Sequence, residues 1–275
     1  MDDIFSRIQI IPIANCLAHE GIIQKWADQI ASNIKDQGIM KNPVIVTRQG
    51  KYYVVLDGMH RFAALKKLGI RNILACVIDY FSPKILLEGW DAFVFEKIDL
   101  KPLFKGYSFV RASNLKEAKS RVLKREALLA VGSRRGNVFV LEKSGLKKKD
   151  FVDELCLVND RLDRMLSAKE IKVVYVDNSL TLDDFASSNA QIVIFRPQFT
   201  KEEVIQRTLH KKTFPPKSTR HLIPERPLRV DVDLALLRAN IDGKTKNRLL
   251  QDHLRWCYEN NRMRFYPESV YIFAD

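Results

Sequence analysis

Apolar residues recur along the chain with two periods, and the switches between them outline its first third. Residues 7–14 read as a short strand leading into a loop through His19. From Glu20 on, Ile22, Ile23, Trp26, Ile30 and Ile34 recur at steps of three and four. That stripe predicts an amphipathic helix opened by His19-Glu20 and stopped at Gly38. Residues 43–47 and 52–56 are β-branched and aromatic runs separated by Arg48-Gln49-Gly50-Lys51, which predicts a hairpin. At Asp57-Gly58 the period turns helical. Phe62, Leu65 and Leu68 share one face up to Gly69, and 73–80 is a further buried strand. The order β-α-β-β-α-β within residues 1–80 describes an α+β unit.

Beyond residue 80 the pattern predicts strands over 85–95, 137–142, 172–176 and 191–195, and helices over 114–130 and 147–166. Thr200-Lys201-Glu202-Glu203 has the form of a capping box and opens a helix through Leu209. Four prolines between 214 and 227 exclude a regular helix or a central strand there. The Lys, Ser, Thr, Arg and His residues between them suggest a binding loop. Helices over 231–239 and 242–257 and a terminal strand over 265–273 follow. The expected division is 1–80, 81–230 as a second α/β domain, and 231–275 as a helical extension that is also a candidate homodimer contact.

Composition narrows the function classes. The chain has 275 residues with 46 Lys+Arg against 33 Asp+Glu, a net charge of +13, which favours anionic partners. The longest apolar run, 73–78, is far shorter than the ~20 residues a bilayer core needs, so no membrane span is expected. Met1-Asp2-Asp3 with no apolar segment behind it does not resemble a secretory signal, and a cytoplasmic location is expected. Cys16, Cys76, Cys156 and Cys257 lie far apart without a C-x-x-C pair, which argues against a zinc ribbon, a redox pair or covalent c-type haem. Residues 111–149 hold 12 Lys+Arg and 3 Glu. Such a stretch reads either as a solvated face or as a nucleic-acid contact.

Three segments carry chemistry. In Leu56-Asp57-Gly58-Met59-His60-Arg61, an acidic residue closes a strand, glycine makes a tight turn and a helix begins. Such a turn presents backbone N–H groups and a positive dipole end to an anion. His60 and Arg61 add donors for phosphate oxygens, and Asp57 is placed to hold Mg²⁺. The plainer reading is that Asp57 caps the helix and Arg61 pairs with a surface carboxylate. His19-Glu20 supplies a carboxylate able to accept a proton, or an ordinary first-turn glutamate. Lys217, Ser218, Thr219, Arg220 and His221 suit phosphate or carboxylate recognition, with a solvated linker as the alternative.

Together these segments resemble the ParB/sulfiredoxin-like superfamily, and within it the free L-serine kinases. His19-Glu20, Asp57-Gly58-Met59-His60-Arg61 and Pro216-Lys217-Ser218-Thr219-Arg220-His221 match that branch in order. Met59 stands where the kinases have a first histidine and where sulfiredoxins have their reactive cysteine, and a thioether cannot act as a thiolate. The resemblance implies an α+β protein with a ParB/sulfiredoxin-like N-terminal α/β unit and a second α/β domain. It implies phosphorylation of free L-serine with ATP or ADP and Mg²⁺, feeding siderophore or cysteine-type biosynthesis. On that basis Glu20 is the general base, and Asp57 holds the metal and organises the phosphoryl group. Gly58, Met59, His60 and Arg61 bind nucleotide phosphate, His60 with a catalytic role, and Lys217 to His221 bind serine. The three stretches are expected to meet at one pocket. The alternative is a ParB-like DNA-binding regulator, responsive to haem, which can coexist with kinase activity.

Overall fold

The computed structural model describes residues 2–177 and 182–266. Its elements begin with α1 (Asp2–Arg7), β1 (Ile8–Pro12), β2 (Cys16–Ala18), α2 (Gln24–Gln37), β3 (Ile39–Met40), β4 (Val44–Gln49), β5 (Tyr52–Asp57), α3 (Met59–Lys67) and β6 (Asn72–Val77). Next come β7 (Leu86–Glu88), β8 (Trp90–Val94), β9 (Ser108–Arg111), α4 (Leu115–Leu123), β10 (Leu129–Ser133) and β11 (Val138–Glu142). They are followed by α5 (Phe151–Ala168), β12 (Val173–Asp177), α6 (Leu182–Ser187), β13 (Ile192–Phe195), α7 (Lys201–Leu209) and β14 (Arg220–Leu222). Last are β15 (Val232–Asp233), α8 (Leu234–Arg238) and α9 (Gly243–Glu259). The chain forms two units, Met1–Ile85 with Ile223–Asp275, and Leu86–Leu222.

The first unit holds a five-stranded sheet in the order β1-β6-β4-β5-β2. β4 and β6 run parallel at its centre, and their unbroken apolar runs are buried, as befits strands covered on both faces. β2 lies parallel to β5 in the register Ala18↔Val55. That pairing keeps 16–18 extended and delays α2 to Gln24, so Glu20 precedes the helix instead of opening it. The expected stripe holds in part: Ile34 is buried with Ala27 and Ala31, and Ile22 and Ile30 pack partly buried against the core, while Ile23 and Trp26 are exposed. Gly38 ends it in the left-handed conformation at φ +68°, where glycine costs least.

The C-terminal segment is no separate extension. Val230, Val232, Leu234, Leu237, Leu250 and Leu254 belong to the core of the first unit. β15 pairs with β3, and the Asn247 amide of α9 both accepts from and donates to the backbone of Ile10 on edge strand β1. The amide supplies the pairing that another strand would supply. The boundaries therefore fall after Ile85 and Leu222 instead of at 80 and 230, because the tail's apolar face has its partner in the N-terminal sheet.

The second unit is built on an antiparallel sheet in the order β12-β8-β13-β10-β11-β9. Ala118 and Val122 of α4 pack with Phe93, Val193 and Phe195 of this sheet. The helix expected over 114–130 stops at Leu123, and after a turn its apolar end, from Leu129 on, enters β10 at the sheet's interior. A short run buried throughout carries no period that separates strand from helix. β14 pairs with β7 inside the proline-flanked segment. From residue 267 on, the expected terminal strand lies outside the described residues. No helix among the described residues is long and apolar enough to cross a membrane.

Candidate functional site

At the end of β5 the chain turns through Gly58, φ +87°, into α3, and the Phe62 N–H closes the first helical bond on the Gly58 carbonyl at 2.9 Å. A Cβ at this glycine would lie 2.8 Å from both Arg61 Nη2 and Val44 Cγ1, so backbone conformation and space both demand glycine. The N–H groups of Met59, His60 and Arg61 have no carbonyl four residues back within the helix, which gives this turn its positive character.

Arg61 turns back over the glycine. Its Nη1 donates to the carbonyls of Asn42 (3.1 Å) and Pro43 (3.0 Å), and its Nη2 to Asp57 Oδ2 (2.9 Å). Burial pulls the Arg61 pKa below its usual value, opposed by the Asp57 charge. Arg61 is thus a latch joining three segments, and much of the fork expected to grip phosphate is spent on the protein. The other Asp57 oxygen, Oδ1, faces Arg226 Nη2 at 3.2 Å.

Met59 does not line the turn with its side chain. The thioether is packed in the core of the first unit, because α3 needs Met59, Phe62 and Leu65 on its inner face. Only its backbone can contribute to anion binding. His60 points toward the start of α2: its Nε2 accepts the Ile23 N–H at 3.1 Å, and its ring lies 5.5 Å from that of Trp26. In this geometry His60 is neutral at Nε2.

His19 is buried, with Nδ1 donating to the Val55 carbonyl at 2.7 Å. Burial pushes its pKa down to about 4, with the Val55 bond and the Asp57 charge acting against the shift. Its Nε2 lies 3.9 Å from Glu20 Oε2. The neutral imidazole forms no ion pair with the largely buried Glu20. His19-Glu20 and Asp57 are brought together within the first unit, since the Asp57 charge is felt at His19.

Lys217 to His221 belong to the second unit. Trp90 organises them: its indole N–H donates to the Thr219 carbonyl at 3.0 Å, and Lys217 and Arg220 lie over its ring at 5.5 and 5.3 Å. Arg220 also pairs with Glu88 at 2.6 Å across the β14–β7 ladder. His221 sits opposite Leu87 in the same ladder. Ser218 is 4% exposed, and its Oγ is buried without a hydrogen-bond partner. A buried hydroxyl left so costs on the order of 1–3 kcal/mol, which a polar ligand would relieve.

Sequence reasoning missed Arg226, Trp90 and Glu88. Arg226 lies inside the proline-flanked segment, two residues beyond Pro224. The adjacency of Trp90 and Glu88 to 217–221 depends on a strand pairing with no local signature.

Residues 8–86 match the family model described as ParB N-terminal domain. The chain is similar to the ADP-dependent L-serine kinase SerK of Thermococcus kodakarensis, 29% identical over 234 residues, covering 78% of this chain and 87% of that protein. It is 28% identical to an ATP-dependent L-serine kinase of Staphylothermus marinus over 234 residues, 83% of this chain and 90% of the relative. Among solved structures, a free serine kinase in complex with ADP superposes with a TM-score of 0.68 at 25% identity, covering 84% of this chain and 94% of that one. These likenesses agree with one assignment: residues 8–86 are a ParB N-terminal domain, and the chain is homologous to the free L-serine kinases over most of its length.

Proposed function

We propose that the protein phosphorylates free L-serine to O-phospho-L-serine with ADP or ATP as donor, in the cytoplasm, supplying siderophore or cysteine-type biosynthesis. Homology to L-serine kinases over most of both chains supports the reading. The observation that carries it is the Glu20 carboxylate 3.9 Å from the neutral imidazole of buried His19, in the same unit as the electropositive Gly58 turn.

In this reading Glu20 takes the proton from the serine hydroxyl as that oxygen bonds to phosphorus. The bond from phosphorus to the nucleotide oxygen breaks, leaving AMP from ADP or ADP from ATP. A positioned carboxylate base contributes roughly 10²–10⁴-fold to such a step. The first turn of α3 receives phosphate oxygens on its backbone N–H groups, and Gly58 permits their approach. Asp57 holds Arg61 in place, and His60 fixes the start of α2 beside the turn. Ser218, Thr219, Arg220, His221 and Lys217 recognise serine, with the Ser218 hydroxyl as the group in want of a partner.

Mg²⁺ belongs to this reading as the counter-ion of the polyphosphate. Asp57 is the carboxylate that would hold it, but both its oxygens face guanidinium groups, and no group of three or more metal-ligating side chains occurs among the described residues. The donor set does not fit a protein-built Mg²⁺ cage, and no step here runs through the ion.

The DNA-binding alternative rests on the basic stretch. There Arg121, Arg125 and Lys143 are paired with Glu142, Glu203 and Glu154, which leaves fewer cations for a duplex. Incubating the protein with Mg²⁺, L-serine and ADP or ATP, then measuring O-phosphoserine by mass, tests the kinase reading. Product with either nucleotide supports it. No product with either overturns it.

A further inference from the structure

Two guanidinium groups face the single carboxylate of Asp57, and they are held very differently. Arg61 is fixed by two carbonyls besides Asp57, and moving it would strip a donor from both Asn42 and Pro43. Arg226 contacts Asp57 Oδ1 at 3.2 Å through a side chain 38% exposed. Its backbone, in contrast, is pinned on both sides. Glu225 pairs with Arg7 at 3.3 Å, the Arg229 N–H donates to Asn42 Oδ1 at 2.8 Å, and the Asp231 N–H donates to the Lys41 carbonyl at 3.2 Å. The segment bearing Arg226 is therefore tied to the same 41–42 loop that anchors Arg61, while its guanidinium can turn between acceptors.

The charges around the turn do not cancel. Asp57 contributes −1 against the +2 of the two guanidinium groups that face it, Arg61 and Arg226. A half-exposed carboxylate–guanidinium contact is weak, whereas a guanidinium fork meeting phosphate oxygens forms two charge-assisted bonds. We propose that Arg226 is a phosphate-binding residue, which leaves Asp57 Oδ1 to grip a phosphoryl group seated at the Gly58 turn. The inference rests on the kinase reading and adds to it a residue from the far end of the chain. The phosphoryl group could be that of the donor nucleotide or of the phosphorylated amino acid.

Calorimetric titration of the full chain with ADP, with O-phospho-L-serine and with adenosine separates these sources. The proteins compared are the unaltered chain, Arg226→Met and Arg226→Lys, each with its thermal midpoint. Arg226→Met is expected to weaken ADP, O-phospho-L-serine or both by about 10- to 100-fold, the loss of a charge-assisted contact, with adenosine within about twofold. The ligand that weakens identifies the phosphate held. Arg226→Lys keeps the charge without the fork and should fall between, and it carries the test where the Met variant unfolds. Unchanged affinity for both phosphates overturns the inference, as does an equal loss for adenosine, which would mark a structural role. If the unaltered protein binds neither phosphate compound, the kinase reading falls with it. If it binds them and the variants bind equally well, only the role of Arg226 falls.

Discussion

Replacing Gly58 and Gly38 with alanine, one at a time, separates two demands that a turn glycine can meet. Both have positive φ, +87° and +68°, so each alanine pays roughly 1–2 kcal/mol for a left-handed backbone. Around Gly38 there is nothing within 4 Å of an added Cβ, and that cost is the whole effect. At Gly58 the new methyl would sit 2.8 Å from Arg61 Nη2 and from Val44 Cγ1. Val44 is fully buried on a central strand and cannot yield, so Arg61 must. Displacing the guanidinium from Asn42, Pro43 and Asp57 forfeits charge-assisted bonds worth about 1.5–3 kcal/mol. Gly58→Ala should therefore lose about 2.5–5 kcal/mol in all, some 1.5–3 kcal/mol more than Gly38→Ala. Urea unfolding followed by tryptophan fluorescence reads the difference, since Trp26 and Trp256 both report on the affected unit. ADP affinity should fall in Gly58→Ala and hold in Gly38→Ala. Equal losses of stability in the two variants would refute the claim that Arg61 is a latch closed over the glycine.

Two further outcomes follow from buried groups. His19 has a folded pKa of about 4 against 6.5, so its contribution to stability is complete above pH 6.5 and is lost as the pH falls through 4. Asp91, raised from 3.8 to about 6 chiefly by burial, works in the opposite sense in the other unit: its contribution is complete below pH 3.8 and is lost as the pH rises through 6. Each spans about 3 kcal/mol, and pH-dependent melting of His19→Gln and Asp91→Asn should flatten one slope each; an unaltered slope in either variant would remove that group as its source. Ser218→Ala deletes a buried hydroxyl without a partner, so thermal melting should show the free protein unchanged or slightly more stable, while kinetics show a raised KM for serine. A destabilised variant with unchanged KM would mean that the hydroxyl serves the fold alone.

What could be read from the chain was local. Gly38 as a helix stop, the Thr200–Glu203 capping box and the Asp57-Gly58 turn each depend on residues within a few positions, and each stands as expected. The failures share a cause. Glu20 reads as a helix start because its apolar neighbours have helical spacing, but parallel pairing of β2 with β5 holds the preceding segment extended. For Met59 the motif shows the place at the turn but not the side chain's direction, because packing in the core claims the thioether and leaves the backbone at the turn. The run 127–131 is apolar throughout, and only pairing with β11 and β13 makes its last three residues strand. Arg226 reaches Asp57 because Val230, Val232 and Leu234 find their partners in the N-terminal core, a contact between distant segments that no periodicity signals.

The role of Glu20 is where the account is most exposed. Glu20→Gln preserves size and hydrogen-bonding capacity while removing the ability to take up a proton. With L-serine, Mg²⁺ and the preferred nucleotide, the variant should bind ADP within about threefold of the unaltered protein, because the phosphate turn is untouched. Its rate of O-phosphoserine formation should fall roughly 10²–10⁴-fold, the contribution of a positioned base. Formation of O-phosphoserine at a near-normal rate by Glu20→Gln would contradict the account.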